Sequence, residues 1–130
     1  MLNSNEFLAS CSKLKECGLV FPVKIGCRLA RGFADLGYEE FYLLPANKLL
    51  SIYTAKTSEW SVEQEKHFFV VPDVNQLIAV ISAQKIKVKV EYQNAEWVIT
   101  FANDQQEIKQ SGTVLINLLI RAYLNFMSEK

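Results

Sequence analysis

The chain has 130 residues, half of them hydrophobic, which fits one domain spanning residues 1–130 with a genuine core. Fourteen basic side chains balance fourteen acidic ones, so no long-range positive field points to nucleic acid or to an anionic membrane surface as a partner. No basic segment precedes an apolar run at the start, and no run of about 18 apolar residues occurs anywhere, so the expectation is a cytoplasmic protein without membrane contact.

In chain order, Asn3 or Ser4 can cap a first helix that carries Phe7, Leu8, Cys11 and Leu14 inward and stops at Gly18. Pro22 suits the first turn of a second helix. Its Ile25, Leu29, Phe33 and Leu36 repeat at helical spacing, and Gly37 supplies a left-handed end. Gly26 and Gly32 would each cost that helix up to ~1 kcal/mol relative to alanine, which reads as close packing against a neighbour. Phe41 to Leu44 and Leu49 to Thr54 read as two strands joined through Pro45, Ala46 and Asn47. Lys56 to Glu65 is polar apart from Trp60 and Val62 and resembles an exposed loop, before His67 to Val71 returns to strand character.

The second half is more sharply written. Pro72 stops the preceding strand, Asp73 can accept from the first free amides of a helix, and Gln76 can reach back as in a capping box. Val74, Leu77, Ile78 and Ile81 then form one apolar stripe. Ile86, Val88, Val90 and Tyr92 alternate with Lys87, Lys89 and Glu91, and after the turn pair Gln93 and Asn94 the residues Trp97, Ile99 and Phe101 alternate with Glu96, Val98 and Thr100. This is an antiparallel hairpin with one apolar face and one mixed face, the latter either lightly covered or in contact with a partner. Ser111 reads as the cap of a closing helix with Leu115, Leu118, Leu119, Ala122 and Phe126 on one side. Ile116, Ile120 and Tyr123 widen its apolar arc, which suits a central buried helix or one shared across a dimer interface.

Helices with apolar stripes and sheets with one apolar face bury each other, so the fold class is α+β, with short antiparallel β-hairpins packed against three to four helices. Leu29 to Leu44 aligns with Leu77 to Tyr92 as helix followed by extended pair, a candidate helix-hairpin pseudo-repeat.

Chemical signals are sparse. His67 is the sole histidine, in an apolar strand-like stretch, and no second imidazole exists to complete a zinc site. Cys11, Cys17 and Cys27 are odd in number and lack C-x-x-C spacing, which points to reduced, partly buried thiols. No phosphate-loop or nucleophile-elbow pattern occurs. The carboxylates Glu39, Glu40, Glu63, Glu65, Asp104 and Glu107 fall in segments read as turns, loops or strand ends and are expected at the solvated surface. No catalytic, cofactor-binding or metal-binding residue follows from these patterns.

Two features bear on partners. Lys85, Lys87 and Lys89, spaced by two, form a candidate basic stripe on one strand face, with Tyr92 and Trp97 on the other. A single-stranded nucleic-acid platform wants aromatic and basic residues on the same face, so the stripe reads first as a solubilising one that discourages edge aggregation. Trp60, in the polar segment, is the candidate contact residue for a partner or second subunit, with packing back onto its own domain as the competing reading.

The segments VKIGCRLARGFADLGYEEFYLL, VVPDVNQLIAVISAQKIKVKVEYQNAEWVITF and TVLINLLIRAYLNFM, from Val23 to Met127, resemble small uncharacterised bacterial and phage-associated α+β proteins in element order and spacing. In those, a helix ending in a leucine-glycine-aromatic step leads into a hairpin, a proline step opens a second helix, and a strand pair precedes a C-terminal helix. The resemblance implies no activity and no catalytic residues. The chain departs from it in the helix from Ser4 to Gly18 and in the apolar ending LINLLIRAYL.

The function expected from these observations is a non-enzymatic protein-interaction module, of prophage or mobile-element origin, acting on an unknown protein partner or as a homodimer. The alternatives are a small ligand-binding protein or enzyme whose site is assembled from sequence-distant residues, such as His67 with a cysteine or carboxylate, and nucleic-acid binding through the lysine-lined strand.

Overall fold

The structure, a computed structural model, describes residues 4–32 and 37–128. The described elements are α1 (Asn5–Glu16), β1 (Arg28–Gly32), β2 (Tyr38–Leu44), β3 (Lys48–Ser51), β4 (Thr57–Glu59), a 3-10 helix (Val62–His67), β5 (Phe69–Val70), α2 (Val74–Ser82), β6 (Lys87–Gln93), β7 (Glu96–Ala102), β8 (Glu107–Gly112) and α3 (Leu115–Ser128). The mixed α+β class is as expected. The chain divides into two compact units, one of residues Met1–Ser12 and Phe21–Pro72, the other of Lys13–Val20 and Asp73–Lys130.

The first unit holds a five-stranded antiparallel sheet in the order β4-β3-β2-β1-β5. Alternation along the strands separates its faces. Leu29, Phe41, Leu43, Leu49 and Val70 line one and are buried; Ala30, Glu40 and Phe69 are buried on the other, which also carries Tyr38 and Tyr42. Leu29 and Ala30 are adjacent, point to opposite faces and are 1% and 0% exposed, so β1 is covered on both sides.

This overturns the second helix expected from Pro22 to Leu36. Gly26 has φ +90°, outside any right-handed helix, and its N–H donates to the Leu43 carbonyl at 2.7 Å. From Arg28 to Gly32 the backbone pairs with β2, with Leu29 opposite Phe41 and Arg31 opposite Glu39. The i, i+4 spacing of Ile25 and Leu29 is coincidental: Ile25 is 66% exposed while Leu29 is buried. Phe33 and Leu36 of that expected helix lie outside the described residues. The proposed pseudo-repeat falls with it, since Leu29 lies in a strand and Leu77, its aligned partner, in a helix.

The second unit is a three-stranded antiparallel sheet in the order β6-β7-β8, with α2 in contact with β6 and α3 with β7 and β8. Asn94 and Ala95, at φ +52° and +64°, form a two-residue turn in the left-handed backbone region, the kind that matches the right-handed twist of the flanking strands. Ile99 and Phe101 on the helix-facing side are fully buried, each worth about 1.5–3 kcal/mol relative to exposure. The Phe101 ring meets Phe126 of α3 edge-on, centroids 6.1 Å apart. The capping box of α2 is formed, with Asp73 Oδ1 accepting from Gln76 N at 2.7 Å and Gln76 Oε1 accepting from Asp73 N at 2.8 Å. Ser111 is not a helix cap: it lies in β8, opposite Val98. The Gly18 stop is seen, with φ +88° and Leu19 N donating to Leu14 O at 3.0 Å. Among the described residues no helix is long and apolar enough to cross a membrane.

Candidate functional site

In the first unit three chain segments converge on a groove of about 340 Å³. The first, before β1, is clamped to β2: Gly26 N donates to Leu43 O, Cys27 N to Lys24 O, and Leu43 N to Cys27 O. This fixes Val23, Lys24 and Ile25 along one rim. The second is the β2–β3 connection, where Ala46 and Asn47 adopt positive φ. The third runs from Trp60, whose N–H donates to Asn47 O at 2.8 Å, into the 3-10 helix, whose Gln64 Oε1 accepts from Ser61 N at 2.9 Å.

Leu43 and Trp60, both buried, lie at the base; Ile25 and Val62, 66% and 77% exposed, stand at the margins, with Lys24 and Glu65 adding one charge of each sign. The groove is open, and its aliphatic side chains share the lining with the exposed polar groups of Lys24, Asn47 and Glu65. It lacks the convergent, buried polar groups that fix a small ligand or assemble a reacting centre.

The structure places Trp60 as the competing reading had it, packed back onto its own unit. It is 8% exposed, and its indole meets the Phe68 ring edge-on at 5.2 Å and 80°. Phe68 in turn meets Phe41 at 5.5 Å, and the Arg31 guanidinium lies over both phenyl rings at 5.2 and 5.3 Å while its Nη2 donates to Glu39 Oε1 at 3.1 Å. The polar run from Lys56 to Glu65 is thus ordered by β4 and the 3-10 helix rather than being a loose loop. Packing of this segment onto its own unit buries most of the indole and leaves the rest to form the groove.

The three lysines do not form one stripe. Lys85, at φ +64°, is in the turn after α2 and outside β6, whereas Lys87 and Lys89 are exposed on the outer sheet face. Lys89 pairs with Glu91 at 3.5 Å, and Lys109 lies across Thr100 from it, with Glu107 at the next position on that face. Positive and negative charges are interleaved. Tyr92 and Trp97, opposite each other with centroids 4.8 Å apart, are on the other face.

One charged residue was misplaced by sequence reasoning. Glu40, expected in solvent, is fully buried, with its carboxylate 3.8 Å from Arg28 Nε; Arg28 Nη2 donates to Tyr42 Oη at 2.7 Å, and the guanidinium lies over the Tyr42 ring. The available signal was its place between Tyr38 and Tyr42 on one strand face. Burial pushes the Cys11 thiol up to about 12, and the nearby Glu40 carboxylate adds to the rise. A thiol so held is neither exposed nor a thiolate at neutral pH, so this pair supplies no nucleophile. Burial also raises the Cys27 thiol, whereas Cys17 is exposed. His67 is exposed at the end of the 3-10 helix. Among the described residues no group of three or more His, Cys, Asp or Glu side chains is placed to hold a metal ion.

No family model, curated protein or solved structure matches the chain.

Proposed function

We propose that the chain is a non-enzymatic protein-interaction module whose first unit receives an apolar segment of a partner protein in the groove beside Trp60. One observation carries this reading: Ile25 and Val62, both large aliphatics more than half in water, flank a groove floored by Leu43 and Trp60. Exposed aliphatics around an aromatic floor gain most from contact with another protein surface, because covering them removes apolar area from water at about 25 cal/mol per Å². Lys24 and Glu65 supply polar contacts at the edge, where they orient a partner rather than hold it.

The test is affinity capture at near-native expression, comparing the natural chain with the double variant Ile25→Asp, Val62→Asp. Both positions are exposed, so the variant should melt within a few degrees of the parent. Proteins retained by the parent and lost by the variant support the proposal. An identical captured set from both would contradict it.

A further inference from the structure

We infer that the free edge of β6 is a pairing surface for a second copy of this chain, forming a continuous six-stranded antiparallel sheet about a two-fold axis through Val90. This does not depend on the groove reading, which concerns the first unit. β6 is the outer strand of its sheet and contacts β7 and α2. The two-residue turn at Asn94 and Ala95 makes Gln93 and Glu96 a hydrogen-bonded pair, and the alternation of an antiparallel ladder then turns Glu91, Lys89 and Lys87 towards β7. The backbone groups of Val88, Val90 and Tyr92 therefore point away from the sheet, and among the described residues they have no backbone partner. Their side chains lie on the helix-facing side yet are incompletely covered: Val88 and Val90 are half-buried and Tyr92 is 61% exposed, whereas their β7 neighbours Phe101 and Ile99 are fully buried. Apolar cover is missing at this edge.

Charge selects the register. With Val90 opposite the second copy's Val90, Val88 faces the second copy's Tyr92, and all three outward-facing backbone positions enter a ladder. In that register Lys89 faces the second copy's Glu91 and Glu91 faces the second copy's Lys89, so the existing Lys89–Glu91 pair becomes a four-charge cluster of alternating sign. Moving the axis by one residue places Lys89 against Lys89, or Glu91 against Glu91. The lysines thus disfavour pairing with an arbitrary strand while permitting one symmetric arrangement. The other edge, β8, is less open, because the Ser111 carbonyl already accepts from Arg121 Nη2 at 2.9 Å.

The experiment is sedimentation equilibrium from low micromolar to submillimolar concentration on the full chain and on Lys89→Glu, Glu91→Lys and the two single variants mixed. Both side chains are at the surface, and far-UV circular dichroism checks that each variant folds. The natural chain should dimerise, and either single reversal should weaken the dimer about tenfold or more by setting like charges opposite each other. The equimolar mixture should restore dimer, because strands carrying two glutamates and two lysines are then complementary. A natural chain that stays monomeric throughout would overturn the inference. So would a dimer indifferent to both reversals, or singles that the mixture does not rescue.

Discussion

The indole of Trp60 stands edge-on to the ring of Phe68, centroids 5.2 Å apart and planes at 80°. This contact ties the segment after β4 to the start of β5, and it is extended by Phe41 and by Arg31 above both phenyl rings. The same indole is core for the first unit and floor for the groove, so its removal should be felt in both.

Trp60→Ala should destabilise the protein by about 3–5 kcal/mol, the usual loss for a large aromatic taken from a packed site, and Trp60→Phe by clearly less. Urea unfolding followed by circular dichroism measures both. Equal costs for the two substitutions would mean that the ring contact contributes little.

Arg28→Met removes a cation beside the buried Glu40 carboxylate and should cost roughly 1–3 kcal/mol, below the ~3–5 of a fully buried pair because the Arg28 side chain is a quarter exposed. Combining it with Glu40→Met should recover part of that loss. A double-mutant cycle in urea reads the coupling, and strictly additive effects would show the two groups to be independent.

Cys11 gives a pH dependence with a definite sign. Its thiol is pushed up to about 12 from its ordinary value of 9.0, so the folded state holds the proton after the unfolded chain has released it. Stability is unaffected below pH 9 and falls as pH rises from 9 towards 12, by at most about 1.4 kcal/mol per pH unit for this group. The raised Tyr123 hydroxyl and Cys27 thiol act in the same direction. Cys11→Ala should flatten the alkaline slope, as read from urea midpoints across that range. In the folded parent, a thiol reagent should label exposed Cys17 well before Cys11 and Cys27.

Asp73→Ala removes one arm of the α2 capping box, the Oδ1 acceptor for Gln76 N, and leaves the backbone N–H of residue 73 to donate to Gln76 Oε1; it should cost about 0.5–2 kcal/mol, measured as a fall in melting temperature. Asp73→Ser should restore most of it, because serine can accept from the same amide.

What was legible in the sequence was local. The Asp73 to Gln76 box, the apolar stripe of α2 and the alternation of β6 and β7 are each written within a few consecutive residues. β1 is hidden in the sequence because Ile25, Leu29, Phe33 and Leu36 mimic a helical period, and Gly26 and Gly32, which contradict that period, also suit close packing of a helix. A short central strand covered on both faces has no period of its own. β8, with Ile108 as its one large apolar residue, was missed because pairing with β7 rather than composition makes it a strand. The burial of Trp60 and Glu40 depends on strands far apart in the chain, and the groove draws on three such segments.

The proposed docking of a partner protein in the groove beside Trp60 can be read by site-specific photo-cross-linking in the native cell. A photoreactive residue replacing Val62 at the margin, and another replacing exposed Lys109 on the outer face of the second sheet, give the comparison. Discrete covalent adducts to another protein from position 62, with none of the same size from position 109, are the expected result. The absence of any adduct from position 62, or the same adducts from both positions, would contradict the account.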